Sequence, residues 1–185
     1  MIERVLAAAR AGARACFALY GHPGVLAYPS HEAIRRARRE GIEARMLPGI
    51  SAEACLFADL GVDPGASGCQ SFEASDFLMY RRGFDPRSAL ILWQIAAIGQ
   101  AAHTTALPNR RGLRALAGRL GQRYPQDHEA VLYEAAEYPG ARPDVRPVTI
   151  AGLPEAAASA ATTLYVPPLD AGAPDPAALD ALGPD

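Results

Sequence analysis

The sequence predicts an α/β protein of two domains, with a parallel sheet in the N-terminal domain and a mixed sheet in the C-terminal domain. Helix and strand patterns alternate over the first 60 residues, which is typical of a parallel sheet covered by helices. A turn-rich segment, Asp63-Pro64-Gly65-Ala66-Ser67-Gly68, follows, and strand patterns then outnumber helical ones. We therefore expect domains at 1–68 and 69–168, and a loose tail at 169–185 that is rich in Pro, Ala, Gly and Asp.

In the N-terminal domain, apolar spacing and the positions of glycine define each element. The predicted elements are a helix over 2–12, a strand over 13–19, a helix over 31–40, a strand over 42–47 and a helix over 52–60. Ser30 and Ser51 are the expected N-caps of the second and third helices. Because the series opens on a helix, we expect another segment to supply the first strand of the sheet.

In the C-terminal domain, short apolar and β-branched runs predict five strands. They lie over 69–73, 89–95, 130–135, 145–150 and 162–166, with helices over 74–82 and 112–120. The tail contains a possible helical turn over 176–182. This order of strands and helices predicts a mixed sheet.

Composition excludes several classes of protein. All 18 basic residues are arginine, so there is no lysine to hold a nucleotide phosphate or to form a Schiff base. A net charge of −2 gives no electrostatic reason to expect a nucleic acid or an anionic membrane as partner. No apolar run is long enough for a membrane span. Three widely spaced cysteines, Cys16, Cys55 and Cys69, favour a reduced, cytoplasmic protein.

Four segments carry polar or glycine residues next to predicted strands, where ligands of open α/β sheets bind. They are Tyr20-Gly21-His22-Pro23-Gly24-Val25, Pro48-Gly49-Ile50-Ser51-Ala52, Leu92-Trp93-Gln94 and Thr162-Thr163-Leu164-Tyr165-Val166. From the pattern alone, the first is either a ligand loop or a tight turn, and Ser51 is more often only a helix cap. Gln94 can equally be a strand-end residue facing solvent, and the threonines can reflect β-propensity.

No metal site is predicted. His22, His31, His103 and His128 show none of the close spacings of metal ligands. Nucleophile-elbow and dinucleotide-binding glycine motifs are also absent from the sequence. Glu73 and Asp76 form either a capping or a catalytic pair, and capping is the more common role.

These segments, in this order, resemble the tetrapyrrole (corrin/porphyrin) methylase superfamily up to about Pro168. Gly21-His22-Pro23 stands where that family usually has Gly-Asp-Pro, and Pro48-Gly49-Ile50-Ser51 matches its Pro-Gly-x-(Ser/Thr) segment. The resemblance continues through Ala89-Leu-Ile-Leu-Trp-Gln94, Val131-Leu-Tyr-Glu-Ala135 and Thr162-Thr-Leu-Tyr-Val-Pro167. It implies a two-domain fold that binds S-adenosylmethionine in a cleft between the domains.

The borosin-type peptide N-methyltransferases look closer still. The runs that resemble them are Tyr20-Gly-His-Pro-Gly-Val-x-x-Tyr-Pro29, Arg45-Met-Leu-Pro-Gly-Ile-Ser-Ala-Glu53 and Gly68-Cys-Gln-Ser-Phe-Glu-Ala-Ser-Asp-Phe77. This resemblance implies methylation of backbone amides of a ribosomal peptide. Since no repetitive apolar core is present over 169–185, we expect the substrate to be a separate precursor peptide. A homodimer is also implied.

Carried over residue by residue, the resemblance implies a cofactor site. The residues are Tyr20, Gly21, His22, Pro23, Gly24 and Val25 around the methionine part, Ser51 and Ala52 from the next loop, and Gln94, Ala135, Thr162, Thr163 and Leu164 around the adenosine. Methyl transfer to a poor amide nucleophile needs alignment and stabilisation of charge on the carbonyl oxygen. Tyr20 is the expected catalytic residue.

Two other functions remain open. One is a tetrapyrrole C-methyltransferase, against which His22 in place of Asp counts. The other is a non-catalytic binding or dimerisation subunit. Set against the family pattern, the chain looks N-terminally truncated by about 50–70 residues, a span that includes the further Tyr and Arg residues of the borosin branch. Activity of this chain alone is therefore open.

Overall fold

The computed structural model describes residues 1–100, 109–170 and 172–183. The chain divides into two compact units, Met1–Leu60 and Gly61–Asp185. We call them unit 1 and unit 2 and describe each by itself. The domain division predicted near residue 68 stays a prediction.

Unit 1 is built from three α-helices, α1 (Ile2–Arg10), α2 (Tyr28–Arg39) and α3 (Ala52–Leu60). All three match predicted helices. Helix α2 begins three residues earlier than predicted, because Pro29 suits the first turn of a helix. Ser30 thus lies inside α2. The N-cap residue is Ala27, and no side chain caps this end of the helix. Ser51 does cap α3, since its Oγ accepts a hydrogen bond from the Ala54 N–H at 3.2 Å.

The predicted strands at 13–19 and 42–47 are not formed, so the described residues of unit 1 contain no parallel sheet. The second segment keeps the alternation of a strand, with residues 42, 44 and 46 half-buried and the residues between them exposed. A strand also needs a neighbour that pairs with its backbone, and residues 1–60 supply none. The faces of α1 and α2 that would cover a sheet instead border a cavity of about 760 Å³, together with both extended segments.

An ion network joins α1 to α2. Arg10 bonds Glu40 at 2.6 Å and Glu3 at 3.3 Å, and Arg36 bonds Glu3 at 2.7 Å. Both Arg35 and Arg36 bond Glu32, whose side chain is only 6% exposed. These hydrogen bonds from two guanidinium groups lower the pKa of Glu32 to about 2.

Unit 2 contains a five-stranded mixed sheet. Its strands are β1 (Cys69–Glu73), β2 (Ala89–Trp93), β3 (Glu129–Glu134), β4 (Asp144–Thr149) and β5 (Thr163–Val166). The spatial order is β1-β2-β5-β3-β4. Only the β1–β2 pair is parallel, and the other three pairs are antiparallel. The predicted mixed sheet is therefore confirmed, with every strand within one or two residues of its predicted bounds.

Helices pack on this sheet through a continuous apolar core. The helices of unit 2 are α4 (Pro64–Ser67), α5 (Ala74–Met79), α6 (Arg110–Leu120) and α7 (Pro176–Leu182). Leu113, Leu116 and Leu120 recur at helical spacing on α6 and are fully buried, as are Leu92 and Leu164 of the sheet. The Glu73 side chain caps α5 by accepting from the Asp76 N–H at 2.8 Å, which confirms capping as the role of that pair. Among the described residues, no helix is both long and apolar enough to cross a membrane.

Candidate functional site

The loop over residues 20–25 in unit 1 is held by its own side chains and by the first turn of α2. His22 Nδ1 accepts a hydrogen bond from the Gly24 N–H at 2.9 Å, and the Val25 N–H donates to His22 O at 3.2 Å. Ser30 Oγ donates to Pro23 O, and His31 Nε2 lies 2.9 Å from Gly24 O. The loop therefore has a fixed shape of its own.

The segment over 46–50 lies directly against this loop. A Cβ atom built on Gly49 would be 2.9 Å from Gly21 O, and one built on Gly24 would be 2.8 Å from the Met46 sulfur. Gly21 itself has φ +76°, a left-handed conformation that glycine adopts without strain. The structure thus brings together two of the predicted segments, Tyr20–Val25 and Pro48–Ala52, through the close approach of Gly49 to the Gly21 backbone.

The backbone groups of the loop that already make hydrogen bonds lie over residues 22–25. The carbonyls of His22, Pro23 and Gly24 are all engaged, as are the N–H groups of Gly24 and Val25. Within the described part of the chain, the N–H groups of Gly21 and His22 make no hydrogen bond. In the first turn of α3, the Ala54 N–H bonds Ser51 Oγ, and the N–H groups of Ala52 and Glu53 bond no described residue. Such free donors suit a carboxylate.

Tyr20 precedes these donors and projects into solvent. Its side chain is 83% exposed, and among the described residues its hydroxyl has no hydrogen-bond partner. A side chain held so loosely by its own unit is available to a bound substrate.

In unit 2, the predicted residues meet at one end of the sheet. Leu92 pairs with Leu164 in antiparallel register, so Gln94 follows the end of β2 beside Thr162, which precedes β5. Thr163 pairs with Tyr133, so Ala135, directly after β3, reaches the same end. Leu164 lies deeper in the sheet and is fully buried. The carboxyl ends of β2 and β3 thus share one edge with the start of β5.

Gln94 adopts an uncommon backbone conformation. Its φ and ψ are 58° and 39°, in the left-handed region, where non-glycine residues are uncommon. It joins the buried strand β2 to a buried 3₁₀ turn, Ile95–Ala97, which holds it in that conformation. Its half-buried side-chain amide makes no hydrogen bond to the described residues. Strain of this kind, together with an unpaired amide, is typical of ligand sites.

The hydroxyl of Thr162 is already hydrogen-bonded within unit 2. Thr162 is fully buried, its hydroxyl donates to Glu134, and it accepts from the Ser159 N–H at 2.7 Å. Glu134 also lies 3.6 Å from the Arg146 guanidinium. The Thr162 hydroxyl therefore organises the edge of the sheet. Sequence reasoning missed Glu134, although a polar residue at the end of the strand predicted over 130–135 was an available signal.

Metal ligation finds no support among the described residues, which contain no group of three or more His, Cys, Asp or Glu side chains able to hold an ion. His22, His31 and His128 each bond a backbone group instead. His103, the fourth histidine considered, lies outside the described residues.

Comparison with known proteins assigns the class. The model of the family Tetrapyrrole (Corrin/Porphyrin) Methylases matches residues 1–154. The chain therefore belongs to the tetrapyrrole methylases. Among solved structures, the methyltransferase CobJ is 18% identical with a TM-score of 0.62, over 90% of this chain and 71% of that one. Uroporphyrin-III C-methyltransferase from Thermus thermophilus is 23% identical with a TM-score of 0.58, over 90% and 69% of the two chains. These two likenesses show the shared fold.

Relatives with higher identity belong to one branch. A methyltransferase/ribosomally synthesized cyclic peptide gymnopeptides precursor from Gymnopus fusipes is 45% identical over 172 residues, which are 91% of this chain and 41% of that protein. The corresponding omphalotin A precursor from Omphalotus olearius is 41% identical over the same shares of the two chains. A relative from Coprinopsis marcescibilis, 41% identical over 91% of this chain and 44% of that protein, is named a type I borosin cyclic peptide precursor. The predicted resemblance to borosins is confirmed, and the chain spans about two fifths of the length of these relatives.

Proposed function

We propose that the chain carries the S-adenosylmethionine site of a methyltransferase that acts on backbone amides of a peptide. The observation that carries this proposal is the loop over 20–25, which is packed against Gly49 and leaves the N–H groups of Gly21 and His22 unengaged. The relatives at 41–45% identity, named as methyltransferases joined to peptide precursors, support the substrate class.

The residues present fit the cofactor. Free N–H groups at Gly21, His22 and the start of α3 suit the carboxylate of its methionine part. In unit 2, the unpaired amide of Gln94 and the backbone of Ala135 offer donors and acceptors for an adenine ring. Thr162, Thr163 and Leu164 belong to the proposed set as the start of β5, which pairs with β2 and β3. Pro23, Gly24, Val25 and Ser51 complete the proposed set by shaping the loops.

When bound, the cofactor supplies a methyl group on a sulfonium. Its transfer to an amide nitrogen releases the amide proton and leaves a neutral thioether. The chain's task is alignment, since most of the gain from holding two reactants in line is entropic. We propose that the exposed Tyr20 hydroxyl donates a hydrogen bond to the carbonyl oxygen of the reacting amide, where negative charge develops.

A tetrapyrrole substrate is the alternative that this fold allows. It has less support, because uroporphyrin-III C-methyltransferase from Thermus thermophilus is 23% identical to this chain, whereas a relative named for a cyclic peptide is 45% identical. We propose a precursor peptide supplied as a separate chain as the substrate, which the experiment with an added peptide tests.

Calorimetry of S-adenosylmethionine with the 185-residue chain tests the proposal directly. We expect saturable binding, and no heat at millimolar cofactor would refute a cofactor site in this polypeptide and favour a non-catalytic subunit. Mass spectrometry of an added precursor peptide should show methyl increments located on backbone nitrogens. Methylation of uroporphyrinogen but not of peptide would establish the tetrapyrrole alternative.

Tyr20→Phe separates binding from turnover. If Tyr20 acts on the substrate carbonyl, this change lowers the methylation rate and leaves cofactor affinity unchanged. Tyr28→Phe is the matched control, because Tyr28 is also exposed, at 69%, but begins α2 and has no proposed role. Equal rates for both variants would remove Tyr20 from the mechanism.

We further propose a homodimer in a reducing, cytoplasmic setting. Cys16, Cys55 and Cys69 are not joined in disulfides, which agrees with that compartment. Light scattering during size-exclusion chromatography measures the oligomer, and a monomer at every concentration would contradict the dimer.

A further inference from the structure

We propose that His22 and His31 are positioning residues that form a clamp on Gly24. His22 accepts from the Gly24 N–H through an unprotonated Nδ1, and His31 donates to the Gly24 C=O. The role deepens the proposed function and rests on it, because the loop that the two histidines shape is the candidate cofactor loop. It concerns the His22 side chain and is separate from the cofactor contact proposed for the His22 backbone N–H.

The His22 ring folds back over its own loop. Its Nδ1 accepts the hydrogen bond of the Gly24 N–H at 2.9 Å. A Cβ built on Gly24 would lie 3.1 Å from His22 Cε1 and 3.3 Å from Nδ1, so this edge of the ring lies close against a glycine. A side chain in this position orders the turn and leaves the outer side of the loop to a ligand.

Hydrogen-bond chemistry fixes the proton on each ring. A nitrogen that accepts an N–H bond carries no proton, so His22 is neutral with its proton on Nε2. A carbonyl oxygen can only accept, so His31 Nε2, 2.9 Å from Gly24 O, carries a proton and donates it. The two histidines therefore hold the donor and the acceptor of the Gly24 unit at the same time.

The clamp also decides which groups remain for a ligand. Ser30, beside His31 in the first turn of α2, donates to Pro23 O and, at 2.7 Å, to Ala27 O. With the Pro23 and Gly24 groups bonded, the loop donors that bond no described residue are the N–H groups of Tyr20, Gly21 and His22. An Asp or Asn side chain at position 22 would serve the same purpose, since both accept from the N–H two residues further on. Histidine at this position therefore retains the turn chemistry of an acidic or amide residue.

Nitrogen NMR of the full chain with labelled histidine tests the proton assignment without a ligand. We expect His22 in the tautomer with the proton on Nε2 and His31 with a protonated Nε2. A proton on Nδ1 of His22 would overturn the proposal whether or not S-adenosylmethionine binds. If the tautomers are as expected and the cofactor does not bind, the clamp stands and the proposed function fails.

Conservative variants test the positioning role. His22→Asn keeps an acceptor, so the affinity for S-adenosylmethionine should stay within about threefold of the parent chain, whereas His22→Ala should weaken it about three- to tenfold. Exchange of the Gly24 amide hydrogen should quicken only in His22→Ala. His31→Gln and His31→Ala form the second pair, with the glutamine amide N–H as donor. Equal loss in Asn and Ala variants that unfold at the parent temperature would refute the clamp.

Discussion

Substituting Gly49 by alanine tests the packing of the two loops most directly. The added Cβ would lie 2.9 Å from Gly21 O and 3.4 Å from the His22 Cα, so it meets backbone that cannot swing aside like a flexible side chain. Overpacking of this kind costs about 1–3 kcal/mol. If cofactor binding requires the original loop shape, the bound state of the variant carries this cost of about 1–3 kcal/mol. The dissociation constant of S-adenosylmethionine should therefore rise about 5- to 150-fold.

The matched control for this change is Gly118→Ala. Gly118 lies on the exposed side of α6, and a Cβ there meets no atom within 4 Å. Because alanine is the better helix former, the control should stabilise unit 2 by about 0.5–1 kcal/mol and leave cofactor affinity unchanged. Calorimetry gives both affinities, and thermal unfolding reports folding. A folded Gly49→Ala chain that binds within about twofold of the parent would show that loop contact does not govern binding.

Three further changes probe other parts of the structure. Gln94→Gly relieves a left-handed backbone and should raise the free energy of unfolding by up to about 1 kcal/mol while weakening cofactor binding by calorimetry; unchanged affinity would exclude the Gln94 amide as a ligand group. Thr162→Val removes the hydroxyl bonded to Glu134 and should destabilise unit 2 by about 1–3 kcal/mol in urea unfolding, whereas a loss below about 0.3 kcal/mol would contradict that role. The pKa of Glu32 is lowered to about 2, so its stabilisation is complete above its unfolded value of 4.5 and disappears as the pH falls from there to about 2. Urea midpoints of Glu32→Gln should therefore change less across that range than those of the parent, and parallel curves would refute the assignment.

Sequence reasoning succeeded where a predicted strand and the strands that pair with it lie in the same unit. The five strands of unit 2 were predicted from short apolar runs, and each finds a neighbour among the others. The same reasoning failed at 13–19 and 42–47. Their composition and alternation are those of strands, but pairing is a property of two segments, and no described residue of unit 1 completes the ladder.

In the candidate site, too, residues that stand out in the local sequence were predicted, whereas bonds between separate elements were not. The glycines and the polar Gln94 stood out in the sequence because they interrupt an apolar pattern. In the structure, Gly49 makes a close backbone contact and Gln94 has a left-handed backbone. The bond of Glu134 to Thr162 and the bond of His31 to Gly24 join residues on different elements. Nothing in the local sequence encodes such bonds, because they depend on the register of β3 against β5 and on the position of α2.

The lysine-free composition is compatible with the site proposed for unit 1. A site that grips its ligand with charged side chains would need lysine or arginine close to it. In the site proposed for unit 1, the groups offered to a ligand are instead backbone N–H groups. Their arrangement depends on the left-handed backbone of Gly21 and on the close approach of Gly49 to Gly21 O. Backbone donors are present whatever the side chain, so such a site depends on loop shape far more than on charge. Changes at Gly49 should therefore alter affinity more than the removal of any single arginine of unit 1.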